Sequence, residues 1–473
     1  MTDSAAGSTP AVERSACEGT RFALLDHNAT ALAVRLELCA GARQRLDLLY
    51  YIFREDDSGR LVADALMAAA DRGVQVRLLL DDLDASGRES SLGRLDAHPR
   101  LQVRLFNPFR WRGLLRPLAL LRDPARLTRR MHAKALIADS RLAVVGGRNI
   151  GDEYYAPEAE MAFADIDVLL AGELVGQVDA SFEQLWSSVW ATPLAELRAR
   201  RAAIEVTRRA RDRIARRPLH QDPAAVLAED SQAKTLLQRI RAGSWPDLPG
   251  TGRVFADLPE KVDPAVVAAA GYFDQVLQHL VTEAASEVLI MTPYLVPTAE
   301  GMAFIHALKE RGLRIRILTN SLAATDVVAV HAGYRRYRRA LLEAGVELYE
   351  YRPTGYWGRR LRRLIRGAHL RASLHAKTIL VDDGLVMIGS ANLDPRSIQL
   401  NVELGVLIES APLAAEIRAC FAEAIAPANA WRVELEQGRE QWRGAAGRHE
   451  PEAGWGRRLL ARLLGFLPLE GQL

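Results

Sequence analysis

Hydrophobic and polar positions along the chain follow two periods in turn. Short runs such as VQVRLLL (74–80) and RIRILT (314–319) are rich in β-branched residues and leucine, which predicts buried strands. Longer stretches such as ADALMAAADRG (63–73) and RRYRRALLEAG (335–345) are amphipathic with helical spacing. Each of these ends on a glycine suited to a helix C-cap, which predicts helices. Strands alternating with helices predict an α/β fold of layered sandwich type.

The pattern occurs twice. LHAKTILVDDGLVMIGSAN (374–392) matches MHAKALIADSRLAVVGGRN (131–149) at a shift of 243 residues. RGVQVRLLLDD (72–82) answers RGLRIRILTNS (311–321) at a shift of 239, and Tyr51 answers Tyr294 at 243. FADIDVLLAG (163–172) answers NVELGVLIES (401–410), pairing Asp165 with Glu403. The expected layout is a first half over 22–194, a charged helical connector over 195–262, a second half over 263–430 and a basic amphipathic tail over 431–473.

Within the repeat lies a spaced set of chemical groups: His-x-Lys, four residues, Asp, six residues, Gly-x-x-Asn. It reads His132, Lys134, Asp139, Gly146 and Asn149, then His375, Lys377, Asp382, Gly389 and Asn392. Five fixed positions recur by chance about once in a few million windows, so two copies are not accidental. In an extended segment, residues two apart share a face, so one histidine and one lysine can reach the same phosphate. An imidazole can attack phosphorus and form a covalent intermediate. A second imidazole can protonate the leaving alkoxide and then deprotonate an incoming alcohol. Lysines and asparagines supply charge and donors to the nonbridging oxygens. Only five of the 62 basic residues are lysine, and two of the five are Lys134 and Lys377. A compact ammonium fits beside a phosphate where a guanidinium fork does not.

The duplicated set resembles the signature of the phospholipase D superfamily. VGGRNIGDEYY (145–155), NSLAATDVVAVHAGY (320–334) and GSANLDPRS (389–397) are similar to one subgroup of bacterial cardiolipin synthases. The resemblance implies two pseudo-symmetric phospholipase D-type α/β/α sandwich halves sharing one active site. It implies transfer of a phosphatidyl group from a glycerophospholipid donor to phosphatidylglycerol through a phosphohistidine. The alternative is a phosphodiester hydrolase acting on lipid or nucleic acid. The catalytic set is His132, Lys134, Asp139, His375, Lys377 and Asp382, with Asp139 and Asp382 expected to brace the motif rather than touch substrate. Asn149, Asn392 and Ser390 are expected around the phosphate. Asp165 and Glu403 are expected to hold the second ring nitrogen of each histidine. Gly147 stands where the second half has Ser390, so the halves are not equivalent. The sequence does not say which histidine is the nucleophile. Asp81, Asn320, Ser321 and His331 are further pocket candidates, since sites lie beyond the carboxyl ends of strands.

Composition narrows the setting. The net charge of +3 gives no reason to expect a nucleic-acid partner. Three scattered cysteines, Cys17, Cys39 and Cys420, suit a reducing compartment and show no metal-ligand spacing. No metal or cofactor is expected. The first twenty residues lack an apolar core, which argues against a secretory signal, and there is no uncharged apolar run of about 18 residues. Arginine-rich stretches with interleaved Trp and Leu precede both motifs, at 107–130 and 351–371, the second holding Arg359, Arg360, Arg362 and Arg363. Another, WGRRLLARLLGFLPL (455–469), lies in the tail and either docks on the body or lies in a lipid interface. The expected partner is an anionic phospholipid membrane, and the expected place is the cytoplasmic side of a bacterial inner membrane, peripherally bound. Both motifs being intact argues against a catalytically silent membrane scaffold.

Overall fold

The structure, a computed structural model, describes residues 17–85, 88–109, 111, 116–156, 159–199, 231–244, 246–266, 276, 279–280, 282–355, 371–445, 449–467 and 471. The arginines at 359, 360, 362 and 363 lie outside the described residues.

The α/β expectation holds, and the two halves repeat each other strand for strand. In the first half Arg45–Tyr50, Gln75–Asp81 and Leu101–Phe106 are parallel neighbours. Ala135–Ala138, Leu142–Gly146, Asp167–Ala171 and Cys17–Leu25 then follow antiparallel, each beside the last. In the second half Glu287–Met291, Arg314–Asn320 and Glu347–Tyr351 take the parallel places. Thr378–Val381, Leu385–Gly389, Leu404–Glu409 and Leu248–Ala256 take the antiparallel ones. Cys17–Leu25 pairs antiparallel with Leu248–Ala256, so one sheet runs through both halves. The central strands are apolar and buried on both sides, as in Leu46, Leu48 and Leu49 or Ile379, Leu380 and Val381. Helices cover them, Asp57–Asp71 in the first half and Val328–Glu343 in the second among them.

Two expected boundaries differ from the architecture. Leu248–Ala256, inside the expected connector, is the strand through which the halves meet. Its LPGTG reads as a turn, yet Gly250 and Gly252 sit where a side chain would strike the neighbouring strand Leu404–Glu409 or Phe22. Ala430–Glu436 spans the expected start of the tail and pairs antiparallel with Glu347–Tyr351. It occupies the place that Ala191–Pro193 holds in the first half.

Candidate active site

Each His-x-Lys lies in an extended segment just before a sheet strand, Ala135–Ala138 or Thr378–Val381, rather than within the strand. The backbone at these residues bonds across the molecule. The His132 amide donates to the Val402 carbonyl at 2.8 Å, and the His375 amide to the Ala164 carbonyl at 2.7 Å. Arg371–Leu374 also pairs in parallel with Met161–Ala164 of the first half. The residue before each histidine is held by the end of a parallel strand. Asp81 accepts from the Met131 amide at 2.9 Å and from Arg130. Asn320, its equivalent at the shift of 239, accepts from the Leu374 amide at 2.8 Å and donates to the Leu374 carbonyl at 2.9 Å. These two pocket candidates therefore clamp the motif backbone.

The side chains also cross. Glu403 lies 3.0 Å from Nδ1 of His132, and Asp165 lies 2.6 Å from Nδ1 of His375. Each histidine thus takes its carboxylate from the opposite half. Burial and the nearby lysines push both imidazoles down, His132 to about 4 and His375 well below its ordinary value. Burial raises Glu403, but His132, Lys134 and the Ser390 hydroxyl outweigh it and bring it to about 2. An ionised Glu403 fixes the His132 proton on Nδ1 and leaves Nε2 as the free ring atom.

The lysines are buried, and each also binds the carbonyl of its own histidine. Burial pushes Lys377 down to about 8, with Asp165 opposing. Lys134 is lowered too, with Glu403 opposing. Lys377 lies 2.8 Å from Nδ1 of His375, the atom that Asp165 also approaches. That nitrogen serves one partner at a time. His132 lacks this third group.

The halves differ in a second way. Ser390 donates to Glu403. Gly147 has no hydroxyl, and a Cβ there would strike the Asp165 carboxylate. The shorter acid therefore goes with glycine, and the longer acid with serine. Asn149 donates to the Tyr154 hydroxyl at 2.8 Å and accepts from the Ile52 amide at 3.1 Å. The Asn392 side-chain oxygen is buried with no hydrogen-bond partner among the described residues, leaving an acceptor for a ligand hydroxyl.

Asp139 and Asp382 lie at the far ends of the motif strands. Asp139 accepts from the amides of Arg43, Gln44 and Arg45 at 2.7–2.9 Å. Asp382 accepts from the amides of Ala285, Ser286 and Glu287 at 2.8–2.9 Å. Both carboxylates thus take up backbone amides, the bracing position in which the sequence reading put them, away from the histidines. Ser321 accepts from the Ala324 amide within its own turn, and His331 lies beside Glu450 and Tyr334. Neither touches the histidines. Aromatic groups that the motif did not reveal do touch them: Tyr51 stands edge-on to His132 at 5.1 Å, and Tyr154 and Phe163 pack on His375 at 5.3 and 4.7 Å. The recurrence of tyrosine at 51 and 294 signals Tyr51 alone; Tyr154 and Phe163 have no such counterpart. Among the described residues, no group of three or more His, Cys, Asp or Glu is placed to hold a metal ion.

Comparison with known proteins agrees with this geometry. The family described as cardiolipin synthase, phospholipase D-like domain, matches twice, at residues 36–186 and 277–425. The chain is 38% identical over 459 residues to cardiolipin synthase C of Escherichia coli K12, covering 94% of each chain. It is 28% identical over 400 residues to cardiolipin synthase B of the same strain, covering 83% of this chain and 77% of that one. The crystal structure of phosphatidylserine synthase from Haemophilus influenzae Rd KW20 shares the fold, with a TM-score of 0.62, 16% identity and coverage of 96% and 95%. The chain belongs to the cardiolipin synthase family of phospholipase D-like proteins.

Proposed function

We propose that the chain moves a phosphatidyl group from a glycerophospholipid donor to phosphatidylglycerol, giving cardiolipin. The observation that carries this reading is the pair of imidazoles, each held at Nδ1 by a carboxylate of the opposite half, with a buried lysine beside each. One Nε2 attacks phosphorus and the bond to the donor's alcohol breaks; the other histidine, charged as imidazolium between its carboxylate and the anionic phosphate once substrate is bound, gives that alkoxide its Nε2 proton. The same histidine then takes the proton of an incoming hydroxyl, whose oxygen displaces the first imidazole from phosphorus. Lys134 and Lys377 neutralise the nonbridging oxygens as charge builds. Asn149, Asn392 and Ser390 support the phosphate and the groups around it.

Water in place of the lipid hydroxyl would give hydrolysis, and exclusion of water separates the two outcomes. The likeness to cardiolipin synthase C over 94% of both chains favours transfer. No helix among the described residues is long and apolar enough to cross a membrane. A peripheral position on an anionic membrane, at the cytoplasmic side of a bacterial inner membrane, suits two-tailed substrates. The test is mass spectrometry of products from the purified chain on mixed phosphatidylglycerol and phosphatidylethanolamine vesicles. Cardiolipin is the expected product; phosphatidic acid alone would make the protein a hydrolase.

A further inference from the structure

Two helices turn their apolar sides outward. Trp455–Gly465 buries only Ala461 and leaves Trp455, Leu459 and Leu463 exposed, with Phe466 exposed just beyond. Arg116–Arg122 leaves Leu118 and Leu121 exposed, the latter at 80%. This is the reverse of an ordinary surface helix, which turns its leucines to the core and its charges to water. The inward positions go to Ala119 and Ala461, with a half-buried arginine of each helix reaching in beside them. Arg457 donates to the carbonyls of Leu322 at 3.1 Å and Thr325 at 2.6 Å. Arg116 donates to the carbonyls of Asp82 at 2.7 Å and Leu83 at 2.9 Å.

Leu83 and Leu322 are equivalent in the internal repeat, at the same shift of 239 that relates Asp81 to Asn320. The two helices are not equivalent, since one precedes the first motif and the other lies near the end of the chain. Unrelated segments thus bind the same carbonyl in each half. That carbonyl lies just past the strands Gln75–Asp81 and Arg314–Asn320, whose last residues clamp Met131 and Leu374 ahead of the histidines. The leucine faces therefore flank the active site, one on each half. Exposed Arg122 and Arg462 lie beside them, which is the charge pattern of a helix lying in a lipid interface.

We propose that these helices form a two-sided lipid-docking surface. Their leucines enter the boundary between headgroups and acyl chains on either side of the site, and Arg122 and Arg462 meet the anionic headgroups. The proposal rests on the phosphatidyltransferase reading only in taking its occupant to be a phospholipid bilayer.

The test compares the native full chain with Leu118→Gln/Leu121→Gln, with Leu459→Gln/Leu463→Gln and with all four together. Co-sedimentation is measured with vesicles of phosphatidylcholine and phosphatidylglycerol. Turnover is measured in parallel on monomeric short-chain phosphatidylglycerol. Each pair should weaken vesicle partition by roughly tenfold, and the four together further, as expected for lost interfacial apolar area. Melting temperature and turnover of the soluble substrate should stay at native values. Vesicle partition of the four-residue variant equal to native overturns the proposal. So does light scattering in which native protein self-associates without lipid and the variant is a monomer, because the faces would then cover a second copy. If native protein turns over neither substrate form while the variants still lose vesicle binding, docking stands and the transfer reading falls.

Discussion

His132 and His375 are the same residue held in different ways, and the difference is testable. Both imidazoles are needed in one site, so His132→Ala and His375→Ala should each lower turnover by about a thousandfold or more. Only one of them should abolish covalent capture of the phosphatidyl group, seen as labelled protein after a neutral detergent quench, because the histidine–phosphorus bond is acid-labile. Near-normal turnover in either variant would end the shared-site scheme. The acids behind the histidines predict a second asymmetry. Gly147→Ser would drive a Cβ into Asp165 and misplace His375, costing roughly a hundredfold in kcat. Ser390→Gly removes one donor to Glu403 and should cost under about tenfold. The substitution that makes the first half look more like the second is thus the damaging one. A third outcome concerns pH. Burial sets Lys377 to about 8, so its ammonium is present below that pH and lost above it. The kcat/KM profile should fall on the alkaline side near pH 8, and Lys377→Arg should move that limb upward while slowing the reaction.

At the level of elements, the residues that looked catalytic and the residues that position catalysis come apart. Asp139 and Asp382 recur with the histidines because each motif strand needs its far end fixed, at a left-handed turn with φ of 51° and 50°. Asparagine tolerates that conformation but accepts fewer amide hydrogen bonds and carries no charge. Asp139→Asn should therefore lower unfolding free energy by about 1–3 kcal/mol while leaving kcat unchanged below the melting transition. Denaturant titration beside initial rates checks this, and a drop in kcat at unchanged stability would return Asp139 to the chemistry. The motif strands, the parallel strands and the equivalence of Asp165 with Glu403 were legible in the sequence because the repeat aligns them. The exchange of acids between halves was not, since a repeat says which residues are alike and not which ones meet. The joining strand Leu248–Ala256 was hidden because two glycines needed for close approach look like a turn. The outward leucines of Trp455–Gly465 were hidden because helical periodicity marks an apolar face without saying which way it turns.

Across the whole molecule, the repeat has been fused into one body rather than two beads. The sheet passes through the pairing of Cys17–Leu25 with Leu248–Ala256, and one buried cluster draws Leu170, Val168 and Phe182 together with Val406, Ile408 and Phe421. The backbone bonds from His132 to Val402 and from His375 to Ala164 cross the same boundary. If the halves were independent, damage to one would leave the other's stability untouched, and the site would fail only by separation. A shared core instead makes unfolding cooperative, so a loss in one half is felt by both. Leu170 is fully buried in the first half and far in sequence from Leu385–Gly389 of the second. Leu170→Ala should cost about 2–5 kcal/mol through lost burial and the cavity left behind. Native-state hydrogen exchange then offers the decisive reading, because slow amides report the opening that exposes them. The amides of Val386 and Ile388 should exchange faster by the same free energy as those of Ala143 and Val145. Protection at 386 and 388 that stayed at its native level would mean that the halves open separately, and that the crossed histidine–acid pairs are joined across an interface rather than built into a core.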